Sequence, residues 1–142
     1  MNNYDPNYVP HKSFALVGQK AIIVNSENKI LVLRRSDKVD DTGKWSLAGG
    51  AIGHGEEPVA SILREVSEET DVHVSEPRPF YTHSFVNKEN DFVVIIGYWC
   101  RANTDQVRLN WEHSEYKWLT KTDALGLDLT PNGRTFIENF LL

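Results

Sequence analysis

Gly49-Gly50-Ala51-Ile52-Gly53-His54-Gly55-Glu56-Glu57-Pro58, followed by Val59-Ala60-Ser61-Ile62-Leu63-Arg64-Glu65-Val66-Ser67-Glu68-Glu69-Thr70-Asp71-Val72, is the stretch whose reading decides the fold. Four glycines precede a segment in which Val59, Ile62, Leu63 and Val66 recur at i, i+3, i+4 and i+7, the spacing of a helix with one apolar stripe. Glu56, Glu57 and Pro58 suit its first turn, and the periodicity ends near Thr70. Beside the stripe, Glu65, Glu68 and Glu69 share a face at about 100° per residue, within reach of one ion. As stabilising residues they are poorly chosen. Like charges at these spacings repel, and two of them oppose the helix dipole at its C-terminal end. Arg64 can pair with Glu68 one turn on, but a single guanidinium does not neutralise three carboxylates, whereas Mg2+ or Mn2+ would.

Outward from this helix the chain alternates strand and turn. Ala21 to Val24 and Ile30 to Leu33, joined by Asn25 to Lys29, predict a β-hairpin. Asp37 to Gly55 reads as a long Gly-rich loop of the kind that carries function. Phe80 to Val86, Phe92 to Arg101 and Glu115 to Leu119 predict further strands. Thr130 as N-cap with Pro131 next introduces a terminal helix burying Phe136, Ile137, Phe140 and Leu141. Residues 1–18, broken by Pro6 and Pro10, read as an irregular arm ahead of a single domain over 19–142. A hairpin before the central helix favours a mixed sheet covered by helices. The absence of a Gly-x-Gly-x-x-Gly or Gly-Lys-Ser/Thr loop disfavours a Rossmann or phosphate-loop domain.

Composition narrows the function. With 142 residues and 40% apolar side chains the chain has one sizeable core. A net charge of -5 argues against coating nucleic acid or anionic lipid by bulk charge, yet permits phosphate-bearing small molecules screened by divalent cations. No apolar run approaches a membrane span, Phe92 to Cys100 being the longest. The N-terminus resembles neither a secretory signal nor a transit peptide, and the lone Cys100 fits a thiol-reducing compartment, so cytoplasmic residence is expected.

From Gly50 the order Gly, five residues, Glu56, seven residues, Arg64-Glu65-Val66-Ser67-Glu68-Glu69-Thr70-Asp71-Val72 resembles the box of the Nudix hydrolases, Gly-x5-Glu-x7-Arg-Glu-aliphatic-x-Glu-Glu-x-Gly-aliphatic. Every charged position is present. Leu33-Arg34-Arg35, Gly43-Lys44-Trp45 and the segment Glu112 to Trp118 extend the likeness over roughly residues 19 to 140. The resemblance implies the Nudix fold, an α/β/α sandwich with a central mixed β-sheet. It implies Mg2+-dependent hydrolysis of a nucleoside diphosphate linked to another moiety, with Mn2+ as substitute, water attacking a pyrophosphate phosphorus.

Carried over position by position, the resemblance makes Glu68 and Glu69 metal ligands and Glu65 a ligand or the general base oriented by Arg64. It adds the Gly49 carbonyl and Glu56 to the metal set. Glu115, with Glu112 competing, is the candidate base or ligand outside the box, and Arg34 or Arg35 grips a phosphate. For Glu56 a first-turn dipole role competes. His54, His83 and His113 receive no role, and Trp45, Trp111 or Tyr81 could stack on a base. The family's terminal Gly is Asp71 here, at a position that favours left-handed backbone, which Asp tolerates at modest cost. Ala48 and Gly53 replace a Pro and a Glu common in relatives. The turn Asn87 to Asn90 lacks the Pro or Tyr markers of ADP-ribose and dinucleoside polyphosphate subgroups, leaving nucleoside triphosphates and nucleotide sugars. Homodimers are common among similar enzymes. Two alternatives stand beside hydrolysis: a catalytically silent nucleotide-sensing domain, which would be expected to lack box carboxylates, and an isoprenoid diphosphate isomerase, which would need Cys100 as its thiol.

Overall fold

A computed structural model describes residues 3–142. In chain order the elements are β1 (Leu16–Val24), β2 (Ile30–Arg35), β3 (Trp45–Ser46), β4 (Ala48–Ala51), α1 (Pro58–Thr70), β5 (Arg78–Val86), β6 (Phe92–Arg101), β7 (His113–Leu119), α2 (Lys121–Leu125) and α3 (Pro131–Glu138). The strands form one mixed sheet with the path β3-β2-β1-β6-β5, to which β4 adds on β1 and β7 on β2. β1 runs parallel to β6 along its whole length, from Leu16 opposite Val93 to Val24 opposite Arg101.

The expected hairpin exists, but β1 meets β2 only at Val24 opposite Ile30. The Asn25 side chain accepts hydrogen bonds from the backbone of Glu27 and Lys29, fixing a turn from which the strands diverge. β4 takes the vacated edge of β1, pairing Gly18 to Ala21 with Ala51 to Ala48. The sheet forks here, and the fork opens beside α1.

The two faces carry separate cores. On one, Ile22, Val24, Ile30, Val32 and Ile95 pack against Phe136, Ile137 and Phe140. On the other, Ala21, Ile23, Leu31, Leu33 and Tyr98 pack against Ile62 and Val66 of α1. This is the expected α/β/α sandwich. Fully burying Ile62 and Val66 stabilises the α1 docking by about 1.5 to 3 kcal/mol each. Among the described residues no helix is long and apolar enough to cross a membrane.

Several boundaries differ from expectation. Leu16, Val17 and Gly18 belong to β1, so the arm is shorter than residues 1–18; residues 1 and 2 of it lie outside the described residues. The 37–55 loop contains β3 and β4, whose two and four residues are too short for an alternating pattern. α2, capped by the Thr120 hydroxyl accepting from Asp123 N–H, is likewise shorter than two turns. α3 begins as predicted, Thr130 accepting from Gly133 N–H, but ends at Glu138. Phe140 turns back into the core while Leu141 is 88% exposed.

Candidate active site

The buried face of α1 runs through Ser61, Ile62, Val66, Glu69 and Thr70 rather than through Leu63, which lies at the exposed rim. Glu69 is seven residues after Ile62 and three after Val66, and so stands on the core stripe itself. Glu65 sits at its edge and Glu68 points outward, its side chain 55% exposed against 13% for Glu65. The three carboxylates therefore do not share one face equally. Among the described residues no three acidic, His or Cys side chains are gathered at metal-binding distance.

Glu69 is almost completely buried, and its Oε2 accepts the Gly49 N–H at 2.9 Å. Burial pushes its carboxyl well up, to about 8, against the opposing pull of Lys20 and of the Gly49 N–H. Two glycines bring β4 this close. A Cβ at Gly49 would lie 2.0 Å from the Gln19 carbonyl oxygen, and one at Gly50 would lie 2.6 Å from Glu65 Oε1. Glu65 is also raised, first by burial, with Arg64 opposing and Glu68 adding repulsion.

Arg64 ties the outer carboxylates together. Its Nε and Nη2 donate to Glu56 at 2.9 and 3.2 Å, Nη2 lies 3.1 Å from Glu65 Oε1, and Nη1 donates to Glu68 at 3.1 Å. Glu56 precedes the helix and also accepts the Gly53 N–H at 3.0 Å. It is a partner of Arg64 rather than of the helix dipole, and the Arg64 hydrogen bonds hold its carboxyl low, at about 2. The guanidinium in turn is held above its ordinary value, chiefly by Glu56.

Of the residues outside the box, Glu112 rather than Glu115 is brought to this cluster. The backbone N–H groups of Arg108 and Asn110 donate to the last α1 carbonyls, Thr70 and Glu69, hanging the 108–112 segment on the helix end. Asn110 Nδ2 then donates to Glu112 Oε1 at 3.2 Å, and the charge of Glu112 is felt by Glu69, Glu65 and Lys20. Glu115 lies opposite Arg34 on β7 and pairs with its Nη1 at 3.5 Å, with Lys117 at 3.9 Å on its other side.

The two arginines also separate. Arg34 donates to the Gly43 carbonyl and is engaged with Glu115, whereas Arg35, past a register shift in β2, donates its Nε to the Asp40 carbonyl and its charge acts on Lys20 and His113. Lys20 is the residue that the sequence reading missed, although a lone charged side chain within Leu16–Val24 was a visible signal. Its backbone pairs with Gly49, its Nζ donates to the Leu47 carbonyl at 3.3 Å, and burial lowers it against the pull of Glu69. Trp45 belongs to the core beneath Lys117, and Tyr81 packs edge-on against Phe136, so neither is free to stack on a base. Asp71 takes the left-handed conformation expected, at φ 56°. Cys100 is buried, and burial pushes its thiol to about 12, leaving no thiolate for isomerase chemistry.

A glycine-lined fork that brings the β4 backbone against the carboxylates of one helix, with the Gly49 N–H on Glu69, is the architecture of a mixed-sheet hydrolase domain with its site at the helix face. Residues 16–140 match the NUDIX domain model, and the chain belongs to that family. It is 24% identical over 121 residues to the CTP pyrophosphohydrolase of Escherichia coli K12, covering 85% of this chain and 88% of that protein. A MutT-like protein of Streptomyces ambofaciens is 28% identical over 108 residues, 76% of this chain and 66% of that protein. The crystal structure of a MutT protein from Methanosarcina mazei superposes with a TM-score of 0.76 at 29% identity, covering 91% of this chain and 94% of that one. The chain is a Nudix-type hydrolase, of a family that acts on nucleoside diphosphate derivatives.

Proposed function

We propose that this hydrolase takes Mg2+, replaceable by Mn2+, and cleaves nucleoside triphosphates or nucleotide sugars at a pyrophosphate phosphorus in the cytoplasm. The observation that carries the reading is the clasp of Gly49 and Gly50 on Glu69 and Glu65. A buried carboxylate raised by burial, with one N–H and a lysine charge to oppose it, fits a divalent cation. Glu69, Glu68 and the Gly49 carbonyl would hold it, with Glu56 kept near through Arg64 and Glu65 left as the base. When bound, the cation supplies positive charge to phosphate oxygens and acidifies water.

The chain's own residues do the rest. Glu65, fixed by Arg64 and kept basic by burial, takes the proton of the attacking water. The new oxygen–phosphorus bond forms as the bridging oxygen leaves with the electron pair. Arg35 steadies a phosphate, and Glu112 takes the part that the sequence reading gave Glu115. A groove of about 580 Å³, in which Asp41 and Glu89 offset Lys44 and Lys88 and the His83 ring lies beside Phe85, offers aromatic surface to the nucleoside portion. A single domain over 19–142, extended at its start by the first residues of β1, and assembly as a homodimer complete the proposal.

The test is hydrolysis of a panel of nucleoside triphosphates, nucleotide sugars and dinucleotides with Mg2+ or Mn2+, with Glu65→Gln and Glu69→Gln alongside. Metal-dependent cleavage lost in both variants supports the reading. Turnover surviving both substitutions overturns the site, and binding without cleavage favours the sensing domain.

A further inference from the structure

Gln19 is a fully buried amide of β1 whose side chain reaches α1. Its Nε2 donates to the carbonyl of Pro58, the first residue of the helix, at 2.7 Å and to the Tyr98 hydroxyl at 3.2 Å. A carbonyl can only accept, so the nitrogen of the amide is the atom that faces Pro58. The Oε1 is left without a hydrogen-bond partner among the described residues. A buried amide with an unpaired oxygen weakens a core, and an apolar side chain of the same shape would serve folding as well or better. Opposite Gln19 in the β1–β4 ladder stands Gly50, where the missing Cβ leaves room for Glu65.

The helix docks through Ile62 and Val66, and apolar contact has no preferred direction. Two directional ties fix how it is turned: Gln19 on Pro58 at its first residue, and the Gly49 N–H on Glu69 near its last. Pro58, Glu65 and Glu69, at i, i+7 and i+11, fall on one side of α1, with Glu65 and Glu69 roughly 10 and 16 Å along the axis from Pro58. The second tie uses a carboxylate proposed to hold the cation, whereas the first involves no group of the metal set. A rotation of α1 by about 10° carries a carboxylate at the outer radius of a helix, about 5 to 6 Å, through about 1 Å, a displacement that costs roughly 100-fold in rate. We infer that Gln19 is a positioning residue: by holding the Pro58 carbonyl it sets the rotation of α1 and so aims Glu65, a role that rests on the reading of Glu65 as the base.

Gln19→Met keeps the shape of the side chain and removes its donor. The expected result is a Tm unchanged or raised, a KM within about threefold of wild type and a kcat at least about tenfold lower, with the amides of residues 59–66 exchanging hydrogen about tenfold faster in EDTA. Gln19→Leu carries the same expectation if the methionine variant does not fold. In Gln19→Glu an ionised carboxylate cannot donate to Pro58, but a protonated one can, and burial favours the protonated form. Its kcat relative to wild type is therefore expected to rise at least about threefold from pH 8 to pH 6, a recovery that loss of core packing would not give. Tyr98→Phe removes only the second acceptor and keeps kcat within about threefold of wild type. A kcat within threefold of wild type in Gln19→Met overturns the role, as does a pH-independent ratio in Gln19→Glu. A wild type that cleaves no nucleotide overturns the hydrolytic reading instead, and amide exchange then decides the tie by itself: faster exchange at unchanged Tm supports it and unchanged exchange overturns it.

Discussion

Gly50→Ala and Gly49→Ala are neighbouring substitutions of one methyl group each, and the structure assigns them opposite consequences. At position 50 the new carbon would stand 2.6 Å from Glu65 Oε1 and 2.7 Å from Cδ, about 0.8 Å inside ordinary contact at 3.4 Å. What it meets is the end of a flexible side chain, so Glu65 swings aside and the backbone stays. The expected stability loss is below about 1 kcal/mol, while displacement of the proposed base by about 1 Å costs roughly 100-fold in kcat. At position 49 the carbon would lie 2.0 Å from the Gln19 carbonyl oxygen and 2.9 Å from its carbon, both backbone. β1 and β4 must then separate, breaking the ladder that holds Glu69. A cost of about 3 kcal/mol, or a fall of about 6 to 12 °C in Tm for a domain of this size, is expected. The assay is kcat and KM on the substrate found in the panel, beside thermal unfolding of each variant in EDTA. Wild-type kcat in a fully folded Gly50→Ala protein would refute the placement of Glu65 at the reacting centre.

Arg64→Ala leaves Glu56, Glu65 and Glu68 without their common partner and is expected to lower kcat at least tenfold while changing Tm little, because the guanidinium itself is well solvated; Arg64→Lys does not restore kcat, since an ammonium cannot serve three carboxylates at once. In metal-free protein the raised pKa of Glu69 makes the folded state hold a proton that the unfolded state releases, so its contribution is present near pH 4.5 and lost as pH rises toward 8. Urea unfolding of wild type and Glu69→Gln from pH 5 to 8 in EDTA should show wild type losing ground to the variant, and a flat difference contradicts the burial argument. His113 behaves oppositely: burial lowers it to about 4, so its contribution is lost as pH falls from about 6.5, by up to roughly 3 kcal/mol, and His113→Asn flattens that acid limb in a urea titration. Asp71→Gly relieves left-handed backbone at φ 56° and is expected to add about 0.5 kcal/mol to stability at unchanged kcat, measured by urea melts and initial rates.

What could be read in the sequence is what repeats or what sits at fixed spacing. α1, β6 and α3 are long enough for period 3.6 or an apolar run to stand out, and Thr130-Pro131 and Asp71 mark helix ends by local chemistry. β3, β4 and α2 lie below that length, so their formation depends on partners far along the chain. Trp45 is a strand residue because Arg34 of β2 lies opposite, and its N–H is taken by Asp128. No local pattern could report the fork of the sheet, which exists because the Asn25 turn splays β1 from β2 and glycines admit β4 into the gap.

The same distinction explains the site. Arg64, Glu65, Glu68 and Glu69 were legible because one helix carries them, but their inequality was not. Glu69 falls on the buried stripe only because the helix packs on Ile62 and Val66 with Leu63 at the rim, a rotation of the helix set by the sheet. Glu112 is placed by the 108–112 segment hanging on the carbonyls of Glu69 and Thr70, while Arg34 and Arg35 are separated by the register shift in β2 opposite β7, and neither contact is local in sequence. Gln19 reaches the first turn of α1 across 39 residues of sequence, and its strand partner is Gly50. A motif assembled on one helix can therefore be read as letters, whereas the contacts that orient it arrive through sheet topology.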